Sequence, residues 1–207
     1  MPFRSRITNS ASEDRLETLL LERLKSGSNK PEIDQRIWDL FGEKWAVMVT
    51  DLAGFSKGSE KWGIVHFLQT ILESHRLLIP LIDEHDGILV KTEADSLLVI
   101  FRNPEKALHC AVAMQKMLAI YNQSTPLEEQ VNLCVGLGYG DILRIGDSDV
   151  FDVEVNAASK LGEDMAKAEE ILVTAGLVNA ISSGWKHQPI TTDFGLMKEA
   201  YRILWKD

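Results

Sequence analysis

An α+β fold is what this sequence predicts, and three observations predict it. Apolar runs rich in β-formers, at 45–51, 88–90 and 97–101, alternate with longer segments of helical periodicity at 62–85 and 103–122. Two of those runs follow one another with only a short charged stretch between them, so the sheet contains an antiparallel hairpin as well as helical crossovers. The chain has 207 residues, of which 45% are apolar, enough for one sizeable core.

The elements follow in order. Residues 1–13 are polar and Ser-rich. In "EDRLETLLLERLKSG", Leu16, Leu19, Leu20 and Leu24 fall on one helical face, with acidic residues early and Lys25 and Gly27 late. "SGSNKPE" reads as a linker and "PEIDQRIWDLFG" as a second short helix. Residues 1–44 are therefore expected to form a helical extension, and 45–207 the main domain. "WAVMVTD" (45–51) is a buried strand. The helix at 62–85 places Ile64, Leu68, Ile71, Leu72, His75, Leu78, Ile79 and Ile82 at helical spacing, and Pro80 should kink it or shorten its last turn. The hairpin comes next. "NPEKALHCAVAMQKMLAIYN" starts with Asn103 as N-cap and Pro104 at the first helical position, with Ala107, Ala111, Met114 and Leu118 facing inward. "VNLCVGLGYGDILRIG" is a strand followed by a turn or a second strand. Residues 154–167 are helical, 170–181 give a strand then a helix, and "YRILW" closes the sheet. The order β-α-β-β-α-β, with additions after it, gives a ferredoxin-like βαββαβ core with a mixed or antiparallel sheet and helices on one face.

Composition narrows the functional classes. A net charge of −9 argues against a nucleic-acid binder that works through a basic surface. Cys110 and Cys134 sit in apolar surroundings without a CxxC spacing, as buried reduced thiols do. No run reaches the ~20 apolar residues of a membrane helix, and "MPFRSRITNSASEDR" lacks a signal-peptide segment, so a cytoplasmic location away from membranes is expected.

Three pieces can carry chemistry. Asp51 ends a buried strand and precedes the turn "LAGFS", where a carboxylate suits a hard cation and turn N–H groups suit a phosphate chain. In the expected fold the hairpin lies beside that strand, so Asp95 can face Asp51. Two such carboxylates suit a two-metal phosphoryl-transfer site. Asn156 and Lys160, four apart, share a helix face. "GLGYG" (136–140) lacks the dinucleotide spacing and reads as strand glycines that allow close packing. His75 reads as a core histidine and Glu93 as a solvated turn residue.

Taken together, "VMVTDLAGFS", "HDGILVKTEADSLLVIF" and "DVFDVEVNAASKL…EILVT" resemble the catalytic domain of class III adenylate/guanylate cyclases, in order, over roughly residues 45–175. The resemblance implies that Asp51, the carbonyl of Leu52 and Asp95 hold two divalent cations, Mg²⁺ or Mn²⁺. Gly54, Phe55 and Ser56 would cradle the phosphates. Lys91 and Asp149 match the pair that reads the adenine edge of ATP. Asn156 matches the ribose-orienting residue, and Lys160 stands where the family has a transition-state arginine. It further implies a homodimer with shared sites that converts ATP to cyclic AMP and pyrophosphate, with a possible regulatory partner at the N-terminal helices. Three positions depart from the family pattern. Lys160 lacks the planar fork of Arg. Ala94 replaces a Gly and would be strained if its turn needs positive φ. Asp152 adds negative charge near the phosphates unless it points away. These departures keep a second reading open, a cyclase-like module without turnover that binds nucleotide or a partner and signals through dimerisation.

Overall fold

A computed structural model describes residues 11–54, 62–191 and 199–206. Helices α1 (Ala11–Leu24) and α2 (Lys30–Phe41) lead into strand β1 (Gly42–Leu52). Helix α3 (Ile64–Glu84), strands β2 (Ile88–Glu93) and β3 (Ser96–Phe101), helix α4 (Pro104–Gln123) and strand β4 (Leu133–Ile145) complete the βαββαβ unit. Beyond it come β5 (Asp149–Phe151), α5 (Val153–Ser159), a π-helical turn (Lys160–Met165), β6 (Ile171–Thr174), α6 (Ala175–Ala180), β7 (His187–Ile190) and β8 (Ala200–Ile203). The strand order is β2-β3-β1-β4-β6-β8-β7, with β5 paired to β4 off this path. Only β4 and β6 pair in parallel; the remaining pairs are antiparallel. The mixed α+β sheet with its βαββαβ core is thus as the periodicity predicts.

Alternation along β1 builds two cores. Ala46 and Met48 face α3 and α4, together with Leu78, Ile82, Ala107, Ala111, Met114 and Leu118. Trp45, Val47 and Val49 face the other way and meet Leu98, Ile100, Ile142 and Ala158. The two long helices share one face of the sheet, while α5 and the π-turn cover part of the opposite face. Asn103 caps α4 by accepting a bond from Glu105 N–H at 2.9 Å, ahead of Pro104.

Of the kink or shortening expected at Pro80, the shortening does not occur: α3 runs on to Glu84. A mid-helix Pro costs about 3 kcal/mol, but Leu78, Leu81 and Ile82 are buried around it, and each such side chain contributes roughly 1.5–3 kcal/mol. Ile64, Leu68 and Leu72 carry the helical period but are exposed at 60%, 56% and 69%, because no other described segment covers that face of α3. The residues 131–146, open between one strand and two, form the single strand β4.

The strand glycines pack closely, as expected. A Cβ on Gly136 would lie 2.0 Å from the Ala158 carbonyl oxygen and 2.4 Å from Gly162 N, and one on Gly162 would lie 2.6 Å from the Val49 carbonyl oxygen. Beside Gly138 and Gly140 lies Glu154, whose carboxylate accepts bonds from Tyr139 N–H (3.1 Å) and Thr174 Oγ1 (2.9 Å). At the other end of β4, Leu19, Ile33, Ile37 and Phe41 bury Ile145, and Arg23–Asp34 and Arg36–Glu22 tie α1 to α2. No described helix is long and apolar enough to cross a membrane.

Candidate active site

The β2–β3 hairpin carries the charged stretch of the sequence. Its register slips between Leu89 and Lys91, and such a bulge re-aims the side chains beyond it. Lys91 Nζ lies 3.1 Å from Asp149 Oδ2, a residue 58 positions away, and 3.0 Å from Glu93 Oε1. Asp149 starts β5 and accepts a bond from Val150 N–H at 2.9 Å. Hydrogen bonds to Glu93 and Asp149 raise the Lys91 pKa, so the ammonium is charged at neutral pH. Glu93 is largely exposed, as a turn residue should be, but its pairing with Lys91 goes beyond the solvated role expected of it.

Lys91, Glu93 and Asp149 line a cleft of ≈ 230 Å³ with Val49, Leu98 and Asn156. Ser159 and Glu163 close its far side, with Ser159 Oγ donating to Glu163 Oε2 at 2.7 Å. The cleft therefore joins the two predicted base readers to the predicted ribose residue. Lys160 is exposed at the start of the π-turn, one helical turn beyond Asn156, and does not line this cleft.

Asp51 and Asp95 form a second group, and neither lines that cleft. The two carboxyl groups lie close to each other and to the Leu52 backbone N–H, and a proton held by one can be donated to the other. Burial, then the charges of Asp95 and Glu163, push the Asp51 pKa up to about 6. Burial also raises that of Asp95. Asp95 Oδ2 is buried without a hydrogen-bond partner. A close acidic pair with an orphaned oxygen suits a divalent cation, which would relieve both the repulsion and the missing bond. Among the described residues no group of three or more His, Cys, Asp and Glu side chains gathers as a metal cluster.

The departures from the family pattern now have structures. Ala94 has φ +51°, in the left-handed region. Asp152 caps α5 by accepting a bond from Val153 N–H and does not line the cleft. Gly54 has φ +89°, in the left-handed region that favours glycine. Phe55 and Ser56 lie outside the described residues. Glu163 and Ser159 were not singled out in the sequence, although their i, i+4 spacing placed them on the face of Asn156.

Comparison with known proteins follows this geometry. Residues 42–194 match the adenylate and guanylate cyclase catalytic domain. The chain is 38% identical over 130 residues to the serine/threonine-protein kinase pkn2 of Myxococcus xanthus, covering 62% of this chain and 15% of that protein. It is 30% identical over 132 residues to the putative adenylate cyclase 3 of Rhizobium meliloti, covering 64% of this chain and 22% of that one. It thus spans less than a quarter of the length of either relative. Among solved structures, an adenylate/guanylate cyclase/hydrolase from Silicibacter pomeroyi superposes with TM-score 0.66 at 23% identity, over 78% of this chain and 96% of that one. The adenylyl cyclase CyaB from P. aeruginosa gives 0.67 at 19%, over 79% and 94%. With the match spanning most of its length and the sheet, hairpin and acidic pair in place, this chain belongs to the class III adenylate/guanylate cyclase catalytic domain family.

Proposed function

We propose that this chain is an adenylate cyclase that converts ATP to cyclic AMP and pyrophosphate at the interface of a homodimer, with residues 45–207 as the catalytic domain and 1–44 as a helical extension. The observation that carries this reading is the Lys91–Asp149 pair in a cleft beside Asn156. Asp149 accepts from the adenine 6-amino group and Lys91 donates to N1, a pattern that guanine does not match. Asn156 orients the ribose. The 3′-oxygen attacks the α-phosphorus, loses its proton, and the bond to the β-phosphate oxygen breaks to release pyrophosphate. When bound, two cations, Mg²⁺ or Mn²⁺, supply charge neutralisation for the attacking and leaving oxygens. Asp51, Asp95 and the Leu52 carbonyl would hold them, and the turn from Gly54 would approach the phosphates. Lys160 offers a positive charge to the phosphates without the bidentate fork of Arg.

The family resemblance supports a shared site, although Glu163 on the cleft wall also acts on Asp51 and Asp95 within one chain. None of Asp51, Leu52 and Asp95 lines the base-reading cleft, and in the arrangement the resemblance implies a complete site would take the acidic pair from one protomer and the cleft from its partner. The test is turnover of ATP and GTP side by side with products identified. Cyclic AMP should form from ATP, and Asp51→Ala and Asp95→Ala should each abolish it. A second reading, a nucleotide-binding module without turnover, draws on the left-handed Ala94 beside Asp95 and on Lys160 standing outside the cleft. It would prevail if wild type and Asp51→Ala were equally silent across metals and concentrations.

A further inference from the structure

Glu154 is a partly buried acid that the proposed reaction does not use, and the sheet holds a socket for it. The parallel pairing of β4 with β6 ends at Leu137 and Val173, so the Tyr139 N–H beyond it needs another acceptor. Glu154 Oε2 accepts that N–H at 3.1 Å, and it accepts Thr174 Oγ1, at the end of β6, at 2.9 Å. Thr174 in turn caps α6 by accepting from Leu177 N–H. Three glycines make the room. A Cβ on Gly138 would lie 2.7 Å from Glu154 Oε2, one on Gly140 2.7 Å from its Cγ, and one on Gly176 3.5 Å from its Oε1. Of the alternate glycines in β4, Gly136 therefore admits the backbone at Ala158, while Gly138 and Gly140 admit the Glu154 side chain.

Glu154 stands two residues before Asn156 on the short helix α5. Two residues turn a helix by about 200°, so a side chain that enters the sheet at 154 sends 156 to the opposite side, where it lines the cleft. Ala158 is buried with Val47 and Val49, but apolar contact is non-directional. Two hydrogen bonds from one carboxylate define a rotation as apolar contact does not. We infer that Glu154 is a positioning residue for Asn156: its bonds to Tyr139 and Thr174 set the rotation of α5 and hence where the Asn156 amide stands in the cleft. The inference rests on the reading of Asn156 as the ribose-orienting residue. Burial raises the Glu154 pKa. Both bonds need only an acceptor, which a carboxylic acid or an amide provides as well as a carboxylate does.

The test separates kcat from KM for ATP in the full chain with Mn²⁺. A misplaced orienting group can cost about 10²-fold in rate, so Glu154→Ala should lower kcat about ten- to a hundredfold with KM little changed. Glu154→Gln keeps an acceptor and should restore most of that loss. Unchanged kcat in Glu154→Ala overturns the inference, as does equal loss in both variants, or a raised KM with kcat kept. Asn156→Ala is the control for the underlying reading: undiminished turnover there would remove Asn156 from the ribose, whatever Glu154 does. Thr174→Val deletes one of the two bonds and keeps the shape. It takes the place of Glu154→Ala should that variant fail to fold: kcat should fall, to a smaller degree, and an unchanged kcat overturns the inference. A binding readout serves a chain that does not turn over. In ¹⁵N-labelled protein with Mg²⁺, 3′-deoxy-ATP, which has no attacking hydroxyl, should shift the Asn156 side-chain amide signals in wild type and in Glu154→Gln but not in Glu154→Ala. Equal shifts in all three overturn the inference.

Discussion

At the scale of single residues, the charged stretch between two apolar strands divides into separate tasks. Lys91 is drawn toward the cleft by Glu93 and Asp149, while Asp95, four residues on, faces Asp51. The half-exposed Lys91–Asp149 pair contributes little to stability, about 0–1 kcal/mol, so under the proposed function its value would be recognition. Ala94 between them carries a backbone cost. Left-handed φ costs an L-residue roughly 1–2 kcal/mol, and Ala94 adopts φ +51°. Ala94→Gly should therefore raise stability by up to about 1 kcal/mol, part of the relief being offset by the extra unfolded-state entropy of Gly. Thermal or urea unfolding checks this, and a clear loss of stability would mean that the turn does not need positive φ. Burial pushes both cysteine thiols up to about 12, which keeps them protonated and unreactive.

At the scale of elements, the decisive contact is α5 and the π-turn lying directly on β1 and β4. Gly136 and Gly162 allow backbone to meet backbone there, and this sets the depth at which Asn156 and Glu163 enter the cleft. Overpacking costs typically 1–3 kcal/mol. Here the clashing atoms are carbonyl oxygen and amide nitrogen, which cannot rotate away as a side chain can. Gly136→Ala should cost about 3 kcal/mol by denaturant unfolding and reduce turnover in parallel. A loss below about 0.5 kcal/mol would show that α5 can lift off the sheet freely. The strain at Ala94 and the π-turn at Lys160 both border the candidate site, as stored strain in functional regions often does.

At the scale of the whole molecule, the acidic pair and the Lys91–Asp149 cleft are neighbouring features of one chain, linked through Glu163. If a working site draws one from each protomer, Asp51→Ala and Asn156→Ala should each be silent alone and active when mixed. Half of randomly mixed dimers are heterodimers with one intact site of two, so the mixture should reach about a quarter of wild-type activity. Specific activity should also fall on dilution as dimers dissociate. A mixture that stays silent, with exchange of protomers verified, would place a complete site in each chain. The exposed apolar start of α3 (Ile64, Leu68, Leu72) is a further surface that the described residues leave uncovered.

The sequence by itself determined the element order, the βαββαβ core, the inward stripe of α4 and the nature of the site residues, because hydrophobic period and residue chemistry are local properties. It also carried the family resemblance, through three motifs in register. Only the tertiary structure decided which side chains meet. Lys91 and Asp149 are 58 positions apart, and their contact depends on a bulge in β2 and on β5 folding back against β4. The π-turn, the run of α3 through Pro80, the capping role of Asp152 and the exposure of Ile64, Leu68 and Leu72 were likewise hidden. Each depends on what packs against the segment rather than on its own period.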